Sequence, residues 1–233
     1  MLFRCPALAE RAEIVHGFTG RGVDLGVRGA ANWAQVTDAL VEGWAPERVA
    51  LLEQVHGGDV VRVEASGGPQ TPVAAADAAF TTVPGVVLAV RTADCVPVLL
   101  AGPGVVGVAH AGWRGAAADI AAGLVRRVHT ELGVDPADIT CVVGPAISGG
   151  VYEVGDEVVE GLARTLPRAA FLVDGPGRPH VDLQAAVAAQ LGRAGVGRIA
   201  VIRRCTATDP ALYSYRADGP PTGRQAGVIA MRP

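Results

Sequence analysis

Residues 86–115 read VVLAVRTADCVPVLLAGPGVVGVAHAGWRG. Three apolar runs inside this stretch, Val86–Val90, Val98–Ala101 and Val105–Ala109, have the length and β-branched content of strands. Gly102–Gly104 reads as the loop between the last two. Beyond Trp113 the period changes. Ile120, Leu124, Val128 and Leu132 recur every four residues, the stripe of an amphipathic helix, and Gly133 closes it as a C-cap. Working outward, Val49–Leu52, Val60–Val63, Ile139–Val143, Arg198–Arg203 and Val228–Met231 read as further strands. Glu157–Leu166 reads as a short helix, and Asp182 as the N-cap of another that runs to about Ala194. Strands and helices mix without strict βαβ alternation, which predicts an α+β fold with mixed sheets.

The composition supports one large core. Half of the 233 residues are apolar and 18% are charged, a balance that excludes disorder. The Gly/Pro-rich patches Ser66–Pro72, Gly175–Pro179 and Gly219–Gly223 are short. They read as loops, so residues 1–233 are expected to form a single domain. A net charge of −3 argues against a nucleic-acid partner or a membrane surface. No apolar run approaches the roughly 18 residues of a membrane span, and the N-terminus lacks a signal-peptide layout; a cytoplasmic location is the expectation. All 20 residues in the Lys+Arg count are arginines. That excludes a Schiff-base lysine, a pyridoxal-phosphate anchor and a P-loop lysine.

Three islands sit near strand ends: Gln54-Val55-His56-Gly57, Thr92-Ala93-Asp94-Cys95 and His110-Ala111-Gly112-Trp113-Arg114-Gly115. Glycines beside His56 and His110 permit close approach of substrate or backbone. Cys95 interrupts a strand just before Pro97, whereas Cys141 lies inside an unbroken apolar run and reads as core. Cys205 is ambiguous, and the wide spacing of the cysteines argues against disulfides. His129 and His180 read as surface and loop residues, and His16 stays open. Together His56, Cys95 and His110 offer the ligands of a catalytic zinc with one open position. The same residue types occur in single copper sites. A multicopper oxidase needs on the order of ten histidines, and this chain has five. Alternatively, Cys95 is a thiolate nucleophile with His110 as its base.

The islands resemble those of the laccase-domain proteins, once called multicopper polyphenol oxidoreductases and now regarded as purine nucleoside phosphorylases. Some members are described as peptidoglycan-editing factors. The likeness extends over nearly the whole chain: His16-Gly17-Phe18-Thr19 with Arg21, Ala76-Asp77-Ala78, Gly144-Pro145-Ala146-Ile147, Tyr152-Glu153-Val154, Asp182-Leu183, Cys205-Thr206, Ser214-Tyr215-Arg216 and Thr222-Gly223-Arg224. It departs from the family pattern at Gly22–Ala31, Val151 and Val187. The resemblance implies a sandwich topology and a zinc, in preference to copper, held by His56, Cys95 and His110. It implies phosphorolysis of adenosine, inosine, guanosine and 5′-methylthioadenosine, with adenosine deamination as a second activity. Purine nucleosides and phosphate are then the partners, and a monomer or weak homodimer is expected. Without lysine, phosphate must be held by arginine. Arg114, four residues past His110, is the leading candidate, followed by Arg21, Arg216 and Arg224. Asp94 is expected to orient a metal ligand or cap a turn, and Asp77 to touch substrate or carry a proton.

Overall fold

Strands that read as unbroken apolar runs belong in a sheet covered on both faces, and this is how the chain uses them. The computed structural model describes residues 2–26 and 30–233. One sheet has the order β1 (Ile14–Phe18), β13 (Gln225–Met231), β6 (Val87–Thr92), β2 (Val49–Glu53) and β4 (Ala74–Ala75). The other has the order β12 (Arg198–Val201), β9 (Thr140–Val143), β7 (Val96–Gly102), β8 (Val105–Ala111), β5 (Ala78–Thr81) and β3 (Val60–Arg62). Both mix parallel and antiparallel neighbours: β2 runs parallel to β6, while β6 runs antiparallel to β13.

The two sheets face each other across a shared core. Leu88 and Val90 from β6 and Ile229 from β13 meet Leu99, Val106, Val108 and Val142 there. Alternate residues serve the outer layers. Val87 and Ala89 pack beneath α2 (Trp33–Leu40), whose Trp33, Val36 and Leu40 point inward. Val98, Leu100 and Ala109 pack beneath α3 (Trp113–Ala117), α4 (Ile120–Leu132), α5 (Asp156–Ala163) and α6 (Leu183–Arg193). Helix α1 (Pro6–Ala9), helix α7 (Tyr215–Asp218) and the ribbon of β10 (Leu172–Val173) with β11 (His180–Val181) complete the fold. The architecture is a sandwich of mixed sheets flanked by helices.

Most elements fall where the pattern places them. The stripe of Ile120, Leu124 and Val128 is buried along α4. Gly133 ends that helix in the left-handed region at φ +70°, its N–H bonded to the His129 carbonyl. Asp182 caps α6, its carboxylate accepting the Ala185 N–H at 2.8 Å. Some bounds differ. The helix expected at Glu157–Leu166 is Asp156–Ala163, and the strand expected at Arg198–Arg203 stops at Val201. His180, expected in a loop, is buried in β11 with Nδ1 3.0 Å from the Arg178 carbonyl. Of the departing segment Gly22–Ala31, residues 27–29 lie outside the described ones.

Candidate metal and substrate site

Three chain segments bring the islands together. His56 lies in the loop after β2, Cys95 in the connection from β6 to β7, and His110 one residue from the end of β8. Their donor atoms all lie within 4.8 Å of one another. The two imidazoles meet edge to face with centroids 4.8 Å apart. A Cβ placed on Gly112 would lie 3.1 Å from Cys95 Sγ and 3.2 Å from His56 Cδ2. Glycine at that position keeps the donors close.

The backbone is strained where it serves this site. His56 at φ +60° and Asp94 at φ +89° are in the left-handed region, which costs a non-glycine residue about 1–3 kcal/mol. Each is held there by hydrogen bonds. Asp77 Oδ1 accepts the His56 N–H at 3.0 Å, and Asp77 Oδ2 accepts those of Val55 and Gly57 at 3.1 and 2.7 Å. Asp94 Oδ1 accepts the hydroxyls of Thr206 and Ser214 at 2.6 and 2.7 Å, and its Oδ2 accepts the Arg216 N–H at 2.7 Å.

The two aspartates make different contacts. Asp77 is fully buried and is not among the residues that line the cavity. Its Oδ1 lies 2.8 Å from His110 Nδ1. A carboxylate only accepts, so Nδ1 carries a proton, and Nε2 is the nitrogen left to face Cys95 or to hold a metal. Asp77 is thus the aspartate in contact with a histidine of the cluster. Asp94 instead fastens the segment around Ser214 and Arg216 to the Cys95 turn.

The electrostatics follow from this arrangement. Burial alone would push the Cys95 thiol up, but hydrogen bonds from His110 and His56 outweigh it and bring it down to about 6. Burial disfavours the His110 cation, yet its bonds to Asp77 and Cys95 raise it to about 9. Burial would likewise raise Asp77, while His110 and the Gly57 N–H hold it below the usual carboxylate range. Cys141, fully buried without such partners, is pushed up instead.

His56, Cys95 and His110 open into a cavity of about 1190 Å³, larger than the ~300–1,000 Å³ of most small-molecule pockets. Tyr152, Tyr215, Arg216 and Arg224 line it. Burial pushes the Tyr152 phenol up to about 12, and Arg216 stacks 5.2 Å from its ring. The other two arginines expected at the site make other contacts. Arg114 stacks over its neighbour Trp113 at 4.3 Å, and Arg21 is paired with Asp218 at 2.7 Å; neither lines the cavity. Arg91, not foreseen as a site residue, does line it. The signal was its parity: Val87 and Ala89 on the same face of β6 are buried under α2, and Arg91 is where that face leaves the core.

The donor set suits a metal ion on its chemistry. It supplies one thiol drawn toward thiolate and two imidazoles, one of them fixed in its tautomer by a carboxylate. Among the described residues no other such cluster occurs. The remaining histidines are engaged elsewhere: His16 Nε2 accepts the Cys5 N–H at 2.9 Å, and His129 Nδ1 lies 2.9 Å from the Val134 carbonyl.

The chain is similar to known proteins in sequence and in fold. The model of a family described as multi-copper polyphenol oxidoreductase laccase matches residues 23–232. A purine nucleoside phosphorylase of Deinococcus radiodurans is 40% identical over 248 aligned residues, 99% of this chain and 92% of that protein. Purine nucleoside phosphorylase SCO2081 of Streptomyces coelicolor is 46% identical across 80% of this chain and 76% of its own length. The crystal structure of YlmD from Geobacillus stearothermophilus superposes with a TM-score of 0.90 at 33% identity, covering 98% of this chain and 94% of that one. No helix among the described residues is long and apolar enough to cross a membrane.

Proposed function

The chain belongs to the multi-copper polyphenol oxidoreductase laccase family, and within it we propose a zinc-dependent purine nucleoside phosphorylase of the cytoplasm. Its substrates would be adenosine, inosine, guanosine and 5′-methylthioadenosine, with adenosine deamination as a second activity. The observation that carries this reading is the convergence of His56, Cys95 and His110 in one arginine-bearing cavity. A multi-copper centre is not supported, since the donors suffice for a single ion. His56, Cys95 and His110 would hold zinc, which supplies a Lewis acid when bound.

The chain's own residues account for the rest. Asp77 keeps His110 in one tautomer and shapes the loop that carries His56. Tyr152 and Tyr215 offer ring faces on which a purine can stack. Phosphate must attack C1′ of the ribose as the glycosidic bond breaks, and it needs cations to hold it. Of the four arginines proposed for this role, Arg114, Arg21, Arg216 and Arg224, the last two line the cavity.

The test is bound-metal analysis followed by incubation of adenosine with and without phosphate. Adenine and ribose 1-phosphate are expected, formed only with phosphate, and inosine reports deamination. A metal-free preparation, or activity unchanged when His56 and His110 are both replaced by alanine, would overturn the reading. The lowered Cys95 thiol favours one alternative, a Cys-His amidase acting on peptidoglycan precursors. In that case alkylation of Cys95 abolishes activity in metal-free protein, and added zinc inhibits.

A further inference from the structure

The arginines that line the cavity form no ion pair with a carboxylate among the described residues. Eight arginines among the described residues pair with carboxylates, among them Arg21 with Asp218 and Arg204 with Asp209. The Arg91 guanidinium has neither an ion-pair nor a hydrogen-bond partner among the described residues, although the side chain is only partly exposed. Its backbone is fixed on both sides by Gln54, whose Oε1 accepts the Arg91 N–H and whose Nε2 donates to the Arg91 carbonyl, each at 2.8 Å.

Arg224 stands beside it. In the antiparallel register of β6 and β13, Arg91 faces Ala226. Residue 224 is thus its diagonal neighbour on the same face, ~7–8 Å away and within reach of long side chains. The Arg224 guanidinium bonds only the carbonyls of Thr222 and Gly223, both at 3.0 Å. The nearby acids do not neutralise the pair. Asp24 Oδ1 accepts the backbone N–H groups of Gly26 and Arg224, and Glu53 forms no ion pair with either arginine. Burial and the Arg224 charge both disfavour the Arg91 cation. Two like charges on one cavity wall are unfavourable until an anion sits between them.

We propose that Arg91 and Arg224 form a two-pronged clamp for a phosphate group, with Arg91 a substrate-binding residue of the enzyme. This rests on the phosphorylase reading for its biological sense. Arg216 is less available for the same task, because both its terminal nitrogens bond the Glu153 carbonyl at 3.1 Å. A planar fork suits two phosphate oxygens at once, which the compact charge of lysine does not reproduce. The phosphate is either the free co-substrate or one carried by a phosphorylated nucleoside.

The test uses intact, metal-loaded protein and the variants Arg91→Ala and Arg91→Lys, with melting checked for each. Binding of inorganic phosphate and of adenosine 5′-monophosphate is measured by calorimetry, and KM is measured for phosphate and for adenosine separately. In Arg91→Ala, phosphate affinity is expected to fall on the order of ten- to a hundredfold while the adenosine KM stays. Arg91→Lys recovers part of the loss. Loss confined to inorganic phosphate identifies the co-substrate; loss confined to the monophosphate identifies a phosphorylated substrate. Affinity for both unchanged in a folded Arg91→Ala overturns the clamp, even if phosphorolysis itself is found. Absence of phosphorolysis with Arg91-dependent phosphate binding overturns the phosphorylase reading and leaves the clamp standing. Should Arg91→Ala fail to fold, an unchanged phosphate affinity in Arg91→Lys overturns it instead.

Discussion

Replacing Asp77 by asparagine separates the two duties of this buried carboxylate. The aspartate accepts four bonds: Oδ1 from His56 N–H and His110 Nδ1, and Oδ2 from the N–H groups of Val55 and Gly57. Asparagine has the same shape but a single acceptor oxygen. If that oxygen takes the Oδ2 place, both bonds there survive and the amide NH2 faces His56 N–H and His110. One backbone N–H is then unpaired, and His110 must accept at Nδ1. In the opposite flip His110 keeps its bond, but two backbone N–H groups lose theirs. Each unpaired buried donor costs about 1–3 kcal/mol, so the first flip is preferred by roughly one such bond. It moves the His110 proton onto Nε2, the nitrogen that would bind the metal. Zinc affinity is then expected to fall by about 10–100-fold, alongside a stability loss of about 1–3 kcal/mol. Competition with a chromogenic chelator measures the first, and urea unfolding of metal-free protein the second. A variant that loses stability but binds zinc within twofold of the parent would refute the tautomer argument and leave Asp77 only a loop fastener.

Other expectations follow from individual side chains. Burial lowers His16 from 6.5 to about 4. Its neutral form therefore contributes stability that is complete above pH 6.5 and is lost as pH falls through about 4, a total of about 3 kcal/mol. Urea unfolding at pH 7, 5.5 and 4 should show the decline, and His16→Gln should flatten it. Gly112→Ala should weaken metal retention on dialysis by at least tenfold, since the new Cβ would lie 3.1 Å from Cys95 Sγ; full retention would show that the donors can give way. In metal-free protein the alkylation rate of Cys95 should rise with a midpoint near pH 6 rather than the ordinary thiol range. His110→Ala should move that midpoint upward, and bound zinc should suppress the reaction.

The sequence made the sandwich core legible because β6, β7 and β8 are covered on both faces and so carry continuous apolar runs. It hid β1, whose apolar run is broken by His16, a polar residue made tolerable by its bond to Cys5. It also hid β5, four residues long and rich in alanine, and α2, only eight residues long. The three potential metal donors were legible from residue type and from their places near strand ends. The cavity was not, because its wall is assembled from segments as distant as Asp24, Arg91 and Arg224. Arg114 shows the difference most clearly. It is near His110 in the chain, yet the turn into α3 lays it on Trp113. Arg91 is close to Arg224 only through strand pairing, which residue spacing does not reveal.

The connection from β6 to β7 has a mechanical consequence. Those strands belong to different sheets, so Cys95 sits where the chain crosses from one layer to the other. His56 follows a strand of the first sheet and His110 belongs to the second. An ion held by all three would rivet the layers together at one end of the sandwich. Sliding one sheet over the other would then require breaking a coordination bond. Amide exchange in β2 and β8 should therefore slow together when zinc is added, as two plates do when a single pin is driven through both.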